Sequence, residues 1–422
     1  MHNGFNTVSV IGLGYIGLPT AAMMSSHGVK VIGVDVNSVA VDTINGGGIH
    51  IVEPDLNDLV QRVVRDGNLV AQLKPSAADA FVIAVPTPTD DDHRPDVTYV
   101  MTAVRSIAPV LTKGNLVILE STCPVGTTES IAALLAELGP DLTFPGPGFE
   151  DADVCIAYCP ERVLPGRILI ELAQNDRSIG GLSDLCSERA SALYRIFVRG
   201  DCIRTDARTA ELVKLTENAF RDVNIAFANE LSLVCDKLGV DVWRLIELAN
   251  RHPRVNILQP GAGVGGHCIA VDPWFIVHAA PEVTPLMRTA RNVNDAKPHW
   301  VVDQVRAAAA GRTDPKVVCL GLAYKPDVDD LRESPALEIA IELGRLYGER
   351  LMVVEPNVST LPDSLARLGV RLSDTETAID QGDLIVALVG HREFHGVPSS
   401  RLAGKAIVDA IGLWRAAPAA RP

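Results

Sequence analysis

Short apolar runs, cut by glycine, proline and charged residues, recur along the chain, and their spacing predicts its elements. Residues 8–11, 29–36, 81–85 and 116–119 are runs of strand length rich in Val, Ile and Leu, as expected of strands buried on both faces of a parallel sheet. Residues 18–27, between the first two, have helical composition. A second series of such runs follows at 317–320, 351–354, 384–388 and 406–408. The pattern between the two series is different. From residue 209, Leu212, Leu215, Ala219, Val223 and Ala226 repeat at three- and four-residue steps, predicting a long helix that Gly239 stops. Helix is expected again over 241–250 and 284–309, the latter carrying a polar knot of Arg291, Asn292, Asn294 and Asp295. The prediction is an α/β fold: two Rossmann-like doubly wound domains joined by a central helical region. Its boundaries fall at 1–200, 201–309 and 310–422, the last marked by Gly311 and Pro315. There is no short-period repeat or heptad array, and the Ala/Pro-rich stretch 415–422 reads as a frayed end.

Composition narrows the class. With 47% hydrophobic and 21% charged residues and a mean hydropathy of +0.18, the chain is too apolar to be disordered. No apolar run is long enough to span a bilayer, so no membrane partner is expected. The opening MHNGFNTVSVIGLG has neither a basic leader region nor a small-residue cleavage site, which predicts a cytoplasmic protein. A formal charge of −14 excludes a general nucleic-acid surface, which needs clustered Lys and Arg. Any anionic ligand must therefore be held by a few local groups. The eight cysteines include no C-x-x-C pair and are expected as reduced thiols. Cys155 and Cys159 lack the companion pair of a zinc site, so no metal is expected.

Chemistry enters first at Gly12-Leu13-Gly14-Tyr15-Ile16-Gly17, which lies between a strand and a helix and is followed by a second strand. Gly12 allows the tight turn, Gly14 lets a pyrophosphate approach the backbone, and Gly17 lets the helix pack on the strand. Tyr15 and Ile16 open the helix whose N-terminus would face the phosphates. Asp35, at the end of the second strand, can accept from ribose hydroxyls and selects NAD over NADP, whose 2′-phosphate it would repel. Ligands in such sheets bind beyond the carboxyl ends of strands, so Thr87 in the loop 86–89 and Thr122 in the loop 120–127 should also face the cofactor.

Four further groups each admit a bland and a functional reading. Glu161 and Arg162, in the proline-bounded loop 157–166, offer a base or a helix cap. Lys214 and Asn218 share one helical face, either as solvated polarity or as a clamp for a developing oxyanion. Residues 261–274, GAGVGGHCIAVDPW, place Cys268 in a glycine-rich loop with Asp272 four residues on. Here the choice is an inert thiol beside a turn or an activated nucleophile lining a site. Lys325 and Arg332 follow the first strand of the second series, where a phosphate-bearing ligand would sit, or are surface charge.

Taken in order, GLGYIGLP, VPTPT, STCPVGT, CPERVLPG, Lys214-x-x-x-Asn218, GAGVGGHCIAVDP and YKPDVDDLRESP resemble the UDP-glucose/GDP-mannose dehydrogenase family over nearly the whole chain. The resemblance implies an NAD-binding first domain, a dimer-forming helical centre and a C-terminal nucleotide-sugar domain. The implied reaction is two-step oxidation of a sugar C6 alcohol to a carboxylate with two NAD. It also implies residue roles. Cys268 is similar to the family nucleophile and Asp272 to the carboxylate that activates it or the hydrolytic water. Lys214 and Asn218 correspond to the oxyanion-stabilising pair, Thr122 to a water-ordering threonine and Glu161 to the glutamate of the Pro-Glu loop, with Arg162 beside it. Gly261, Gly265, His267, Lys325 and Arg332 fall in the sugar-nucleotide segments. Arg254 is similar to an arginine that reaches the site of a neighbouring subunit, which implies a homodimer.

Three positions depart from the UDP-glucose pattern: Pro165 stands where a second glutamate is usual, His267 precedes the cysteine and Val271 the aspartate. They resemble the branch acting on UDP-N-acetyl-D-mannosamine and favour an N-acetylated hexosamine over glucose. The alternatives are the same oxidation of UDP-N-acetylglucosamine or another UDP-hexose, a two-electron hydroxyacid dehydrogenase, and a silent NAD-binding scaffold.

Overall fold

The computed structural model describes residues 4–51, 53–90, 92–146, 151–164, 166–266 and 268–414. Pro165, His267 and the tail 415–422 lie outside the described residues. Two compact units emerge, Met1–Glu217 with Trp274–Ala279, and Asn218–Pro273 with Ala280–Pro422. The division falls inside the long helix, between Lys214 and Asn218 in the sequence.

The first unit is built on an eight-stranded sheet. Its strands are β1 (Thr7–Ile11), β2 (Lys30–Val34), β3 (Leu69–Gln72), β4 (Ala80–Ile83), β5 (Leu116–Leu119), β6 (Cys155–Tyr158), β7 (Arg177–Gly181) and β8 (Cys202–Asp206), in the order β3-β2-β1-β4-β5-β6-β7-β8. Every residue of β4, β5 and β6 is buried, which explains their unbroken apolar runs. All pairings are parallel except β6 with β7, where Ala157 faces Gly181. The sequence reading missed β3, β6, β7 and β8. The last two, RSIGG and CIRTD, carry glycine or charge where buried strands carry Val and Ile. Because β8 pairs with β7 along its full length, this sheet runs past residue 200, where composition placed the boundary.

Strand order reverses between β1 and β4, which opens a crevice at the carboxyl ends of the strands. Gly12 makes the turn there with φ +92°, and its N–H donates to the Val34 carbonyl at 2.7 Å.

The second unit repeats the plan. Strands β9 (Val317–Leu320), β10 (Leu351–Val354), β11 (Arg371–Leu372), β12 (Leu384–Ala387) and β13 (Ala406–Asp409) form a parallel sheet ordered β11-β10-β9-β12-β13. The correspondence reaches individual atoms. Gly321 turns with φ +91° and donates to the Val354 carbonyl at 2.8 Å. Leu322 N–H then donates to Glu355 Oε2 at 2.7 Å, as Leu13 N–H donates to Asp35 Oδ2 at 2.9 Å. In the second copy the carboxylate is buried and also accepts from Ala323 N–H at 3.0 Å, with His391 Nε2 3.0 Å away. GLGYIG has become GLAYKP, and its carboxylate closes the turn from within.

Helices fall close to the predicted spans: Ala207–Leu238, ending before Gly239 at φ +67°, Val242–Ala249 capped by Asp241, and Pro285–Ala309. In the second unit a polar seam joins the first and last of these. Buried Arg291 pairs with Asp222 at 2.6 Å and with Asp295. Asn294 donates to Asp222 Oδ1 at 2.8 Å and accepts from Asn229 at 2.9 Å. Asn229 in turn accepts from Gly261 N–H at 2.9 Å, fixing the start of the glycine-rich loop. Among the described residues, no helix is long and apolar enough to cross a membrane.

Candidate active site

In the first unit, the loop after β1 fits a dinucleotide. A Cβ on Gly17 would lie 1.8 Å from the Gly12 carbonyl oxygen, so this contact between helix and turn requires glycine. A Cβ on Gly14 would meet nothing within 4 Å, the open approach a pyrophosphate needs. Ile16 caps the helix Gly17–Ser26 and Tyr15 is partly exposed beside it. Asp35 accepts from Leu13 N–H and, through its other oxygen, from Asn37 N–H at 2.9 Å. Thr87 and Thr122 are half-buried in the loops after β4 and β5, at the same end of the sheet because these strands run parallel to β1.

Lys214 is half-buried on the long helix and donates from Nζ to the Glu161 carbonyl at 2.9 Å. The Glu161 side chain departs from expectation. Its carboxylate points into the interior, with Oε2 2.6 Å from Arg177 and Oε1 accepting Arg162 N–H at 2.7 Å. Arg162 is likewise engaged within the protein, with Glu217 at 2.6 Å and the Asp176 carbonyl. Both side chains are thus paired within the protein, Glu161 with Arg177 and Arg162 with Glu217.

Sequence reasoning missed Glu211. Fully buried, it accepts from Gly126 N–H at 2.6 Å, Thr128 N–H at 2.8 Å and Thr128 Oγ1 at 2.6 Å, clamping the STCPVGT loop to the helix that bears Lys214. Burial raises its carboxyl above the usual range against the pull of these hydrogen bonds. The signal was available: Glu211 falls on the buried stripe of Leu215 and Ala219, where a carboxylate must have partners.

In the second unit, Asn218 Nδ2 donates to Asp272 Oδ2 at 2.5 Å. Asp272 is buried in the first turn of the helix Asp272–Ala279, and its N–H donates to the Cys268 carbonyl at 2.8 Å. All eight cysteines are thiols, and Cys268 is exposed whereas the other seven are buried. The glycines before it serve mainly packing. A Cβ on Gly265 would lie 2.2 Å from the Glu333 carbonyl oxygen, and one on Gly263 2.8 Å from Pro335. Gly265 thus seats the loop closely on the chain.

Gly261 and Lys325 line one cavity of about 420 Å³, with Tyr324, Val389 and Leu413 among its walls. Arg332 is exposed and held in a two-pronged pair by Asp330, at 2.8 and 2.7 Å. Arg254 is exposed.

Comparison with known proteins shows the family. Family models of the UDP-glucose/GDP-mannose dehydrogenase family match as its NAD binding domain over residues 6–198, its central domain over 208–296 and its UDP binding domain over 318–416. The chain belongs to this family. The dehydrogenase is 60% identical to a UDP-N-acetyl-D-mannosamine dehydrogenase of Yersinia pestis, over 97% of this chain and 100% of the relative. It is 57% identical to an NDP-N-acetyl-D-galactosaminuronic acid dehydrogenase of Ralstonia nicotianae, over 98% and 97%. Among solved structures, a UDP-D-ManNAc dehydrogenase from Pyrococcus horikoshii superposes with a TM-score of 0.86 at 39% identity, covering 98% of this chain and 97% of that one. The dehydrogenase is an NAD-dependent oxidoreductase acting on a nucleotide sugar, which sets aside the hydroxyacid reading.

Proposed function

We propose that the protein oxidises C6 of UDP-N-acetyl-D-mannosamine twice, yielding UDP-N-acetyl-D-mannosaminuronate. The full-length identity of 60% to the Yersinia pestis enzyme carries the substrate assignment. NAD, when bound, accepts the hydride of each oxidation. Gly12, Gly14, Tyr15, Ile16, Gly17 and Asp35 hold it, with Thr87 at its edge and Thr122 ordering water near it. As hydride leaves C6, its hydroxyl proton passes to the water that Thr122 orders, and Lys214 and Asn218, one turn apart on a single helix, donate to the C6 oxygen as it takes on negative charge. Cys268 then adds as thiolate to the aldehyde carbon, and the resulting thiohemiacetal becomes a thioester when hydride leaves. Asp272 takes a proton from the water that cleaves the thioester, releasing the carboxylate and the thiol. The cavity lined by Gly261 and Lys325 receives the nucleotide, and Arg332 reaches its diphosphate from the rim, with His267 beside the cysteine for the acetamido group.

The three parts divide this work as an NAD domain, a helical centre and a UDP domain. Phe220 and Phe227, 70% and 57% exposed, line up with Val234 and Leu238 on one face of the long helix. This apolar stripe supports a homodimer, with exposed Arg254 reaching the partner's site. Reduced cysteines and the use of NAD support a cytoplasmic location.

The Ralstonia relative supports a second reading, the galactosamine epimer. Counting NADH per acid on the UDP-linked mannosamine, glucosamine and galactosamine N-acetyl sugars and on UDP-glucose separates them. The expected result is two NADH per acid, fastest with the manno sugar, and no acid from Cys268→Ser. One NADH per product, or inactivity on every sugar, would sink the assignment.

A further inference from the structure

We propose that Glu333 is a positioning residue for Cys268, acting through its backbone carbonyl while its side chain stands exposed; this rests on the reaction assigned above. The loop that bears Cys268 is held at both ends. At its start Gly261 N–H donates to Asn229 at 2.9 Å, and at its end the Cys268 carbonyl accepts from Val271 N–H at 3.1 Å and Asp272 N–H at 2.8 Å. Between them, two residues before the cysteine, Gly266 N–H donates to the Glu333 carbonyl at 3.2 Å. The glycines here fit closely against the same place. A Cβ on Gly265 would lie 2.2 Å from that carbonyl oxygen and 2.6 Å from Pro335, and one on Gly266 would lie 3.0 Å from the Tyr324 ring. Residues without a Cβ let the loop come down on Glu333.

The backbone of Glu333 aims that carbonyl. Its φ is +49°, in the left-handed region that a glutamate enters only at a cost, and its side chain is exposed. Both flanks hold this conformation. On one side Asp330 grips Arg332, accepting from its N–H at 3.0 Å and from its guanidinium at 2.8 and 2.7 Å. On the other, Ser334 Oγ donates to the Leu322 carbonyl at 2.7 Å and caps the helix Pro335–Tyr347. Turning Glu333 into the right-handed region would swing its carbonyl off Gly266 and release the cysteine loop. The assigned reaction makes such a release visible. The first hydride leaves the C6 alcohol without help from a thiol, and only the second oxidation needs Cys268 on the aldehyde carbon. A displaced loop therefore slows the second hydride transfer and spares the first.

The test is pre-steady-state NADH formation at saturating nucleotide sugar, with hydroxylamine present to trap the aldehyde as its oxime, for Glu333→Val, Glu333→Asn and Gly265→Ala. Valine is strongly disfavoured at a positive φ, whereas asparagine adopts it readily. Glu333→Val should form the first NADH at the wild-type rate and the second about 10²-fold more slowly, with oxime accumulating. Glu333→Asn, which loses the long side chain and keeps the backbone, should run both phases as the wild type does. Gly265→Ala should show the same split as Glu333→Val, and it carries the test if melting curves show that Glu333→Val does not fold. Equal slowing of both phases in Glu333→Val or Gly265→Ala would make the contact one of binding or general stability and overturn the proposal. Wild-type kinetics in Glu333→Val, or a slow second phase in Glu333→Asn, would overturn it as well. Undiminished acid formation by Cys268→Ser would instead bring down the assigned reaction, whatever the Glu333 variants do.

Discussion

The side-chain amide of Asn218 donates to Oδ2 of Asp272 at 2.5 Å, so the long helix and the loop bearing Cys268 are joined by a hydrogen bond to a buried carboxylate. Such bonds are short and contribute more than neutral ones. Asn218 has a second amide hydrogen, which this bond orients. Asn218→Ala removes a donor to the C6 oxygen and the partner of Asp272, and should lower kcat by roughly 10²–10³-fold. Asp272→Asn keeps the size and loses the proton acceptor. It should accumulate a thioester on Cys268 visible by rapid quench, and free turnover in that variant would remove Asp272 from the hydrolytic step.

The glycines of the dinucleotide loop separate stability from binding. Gly17→Ala would drive its Cβ to 1.8 Å from the Gly12 carbonyl, and Gly12→Ala combines φ +92° with a 2.6 Å approach to the Ala84 carbonyl. Each should destabilise the fold by on the order of 1–3 kcal/mol or more. Gly14→Ala has open space around it and should melt at the wild-type temperature while losing NAD affinity at least about tenfold, from crowding of the pyrophosphate. Differential scanning calorimetry beside NAD titration checks both, and wild-type affinity in Gly14→Ala would refute the placement.

The same loop shows how far the sequence reaches. Runs of Val, Ile and Leu located β1, β5, β9 and β10 nearly to the residue, because strands buried on both faces admit little else. Asp35 and the turn glycines were legible for a similar reason: a tight turn and a close approach restrict residue type. Glu161 was not. Its identity suits a base, a cap or an ion pair equally, and its partner Arg177 lies sixteen residues later on a strand whose glycines hid it. The relation between Asp35 and Glu355 was also hidden, since Ala323 and Pro326 erase the second and third glycines while the hydrogen bonds of the turn persist.

Phe220 and Phe227 test the assembly. Two exposed phenylalanines seven residues apart on a helix continue an apolar stripe to Leu238, and each gains about 1.5–3 kcal/mol when fully covered. The double substitution Phe220→Glu/Phe227→Glu places charge at the centre of that face and should convert a dimer to a monomer in light scattering at micromolar concentration. Activity should fall with it, because Arg254 then has no neighbouring site to reach. A variant that remains dimeric would move the interface elsewhere.

Lys297 gives the stability a pH dependence of known sign. It is 2% exposed on the helix Pro285–Ala309, donating from Nζ to Ser232 Oγ at 2.6 Å with the Trp300 ring centre 3.6 Å away. Burial pushes its ammonium down to about 7, with Asp236 pulling the other way. Folding therefore lowers this pKa, so between about pH 7 and the unfolded value near 10.5 the unfolded chain binds more protons. Stability contributed by this site must rise with pH across that window, by up to about 1.4 kcal/mol per unit. Below about pH 7 both states carry the charge, and the folded one bears the whole cost of burying it. Lys297→Met removes the ammonium, keeps the apolar stem and leaves Ser232 to rotate to another acceptor. Urea unfolding under reducing conditions from pH 6.5 to 9.5 should show the wild-type midpoint climbing relative to Lys297→Met. The variant should be more stable at pH 6.5, by about 1–4 kcal/mol, and the two should converge at the alkaline end. Parallel pH profiles would mean that Lys297 keeps its charge in the fold, held by Asp236 and the face of Trp300.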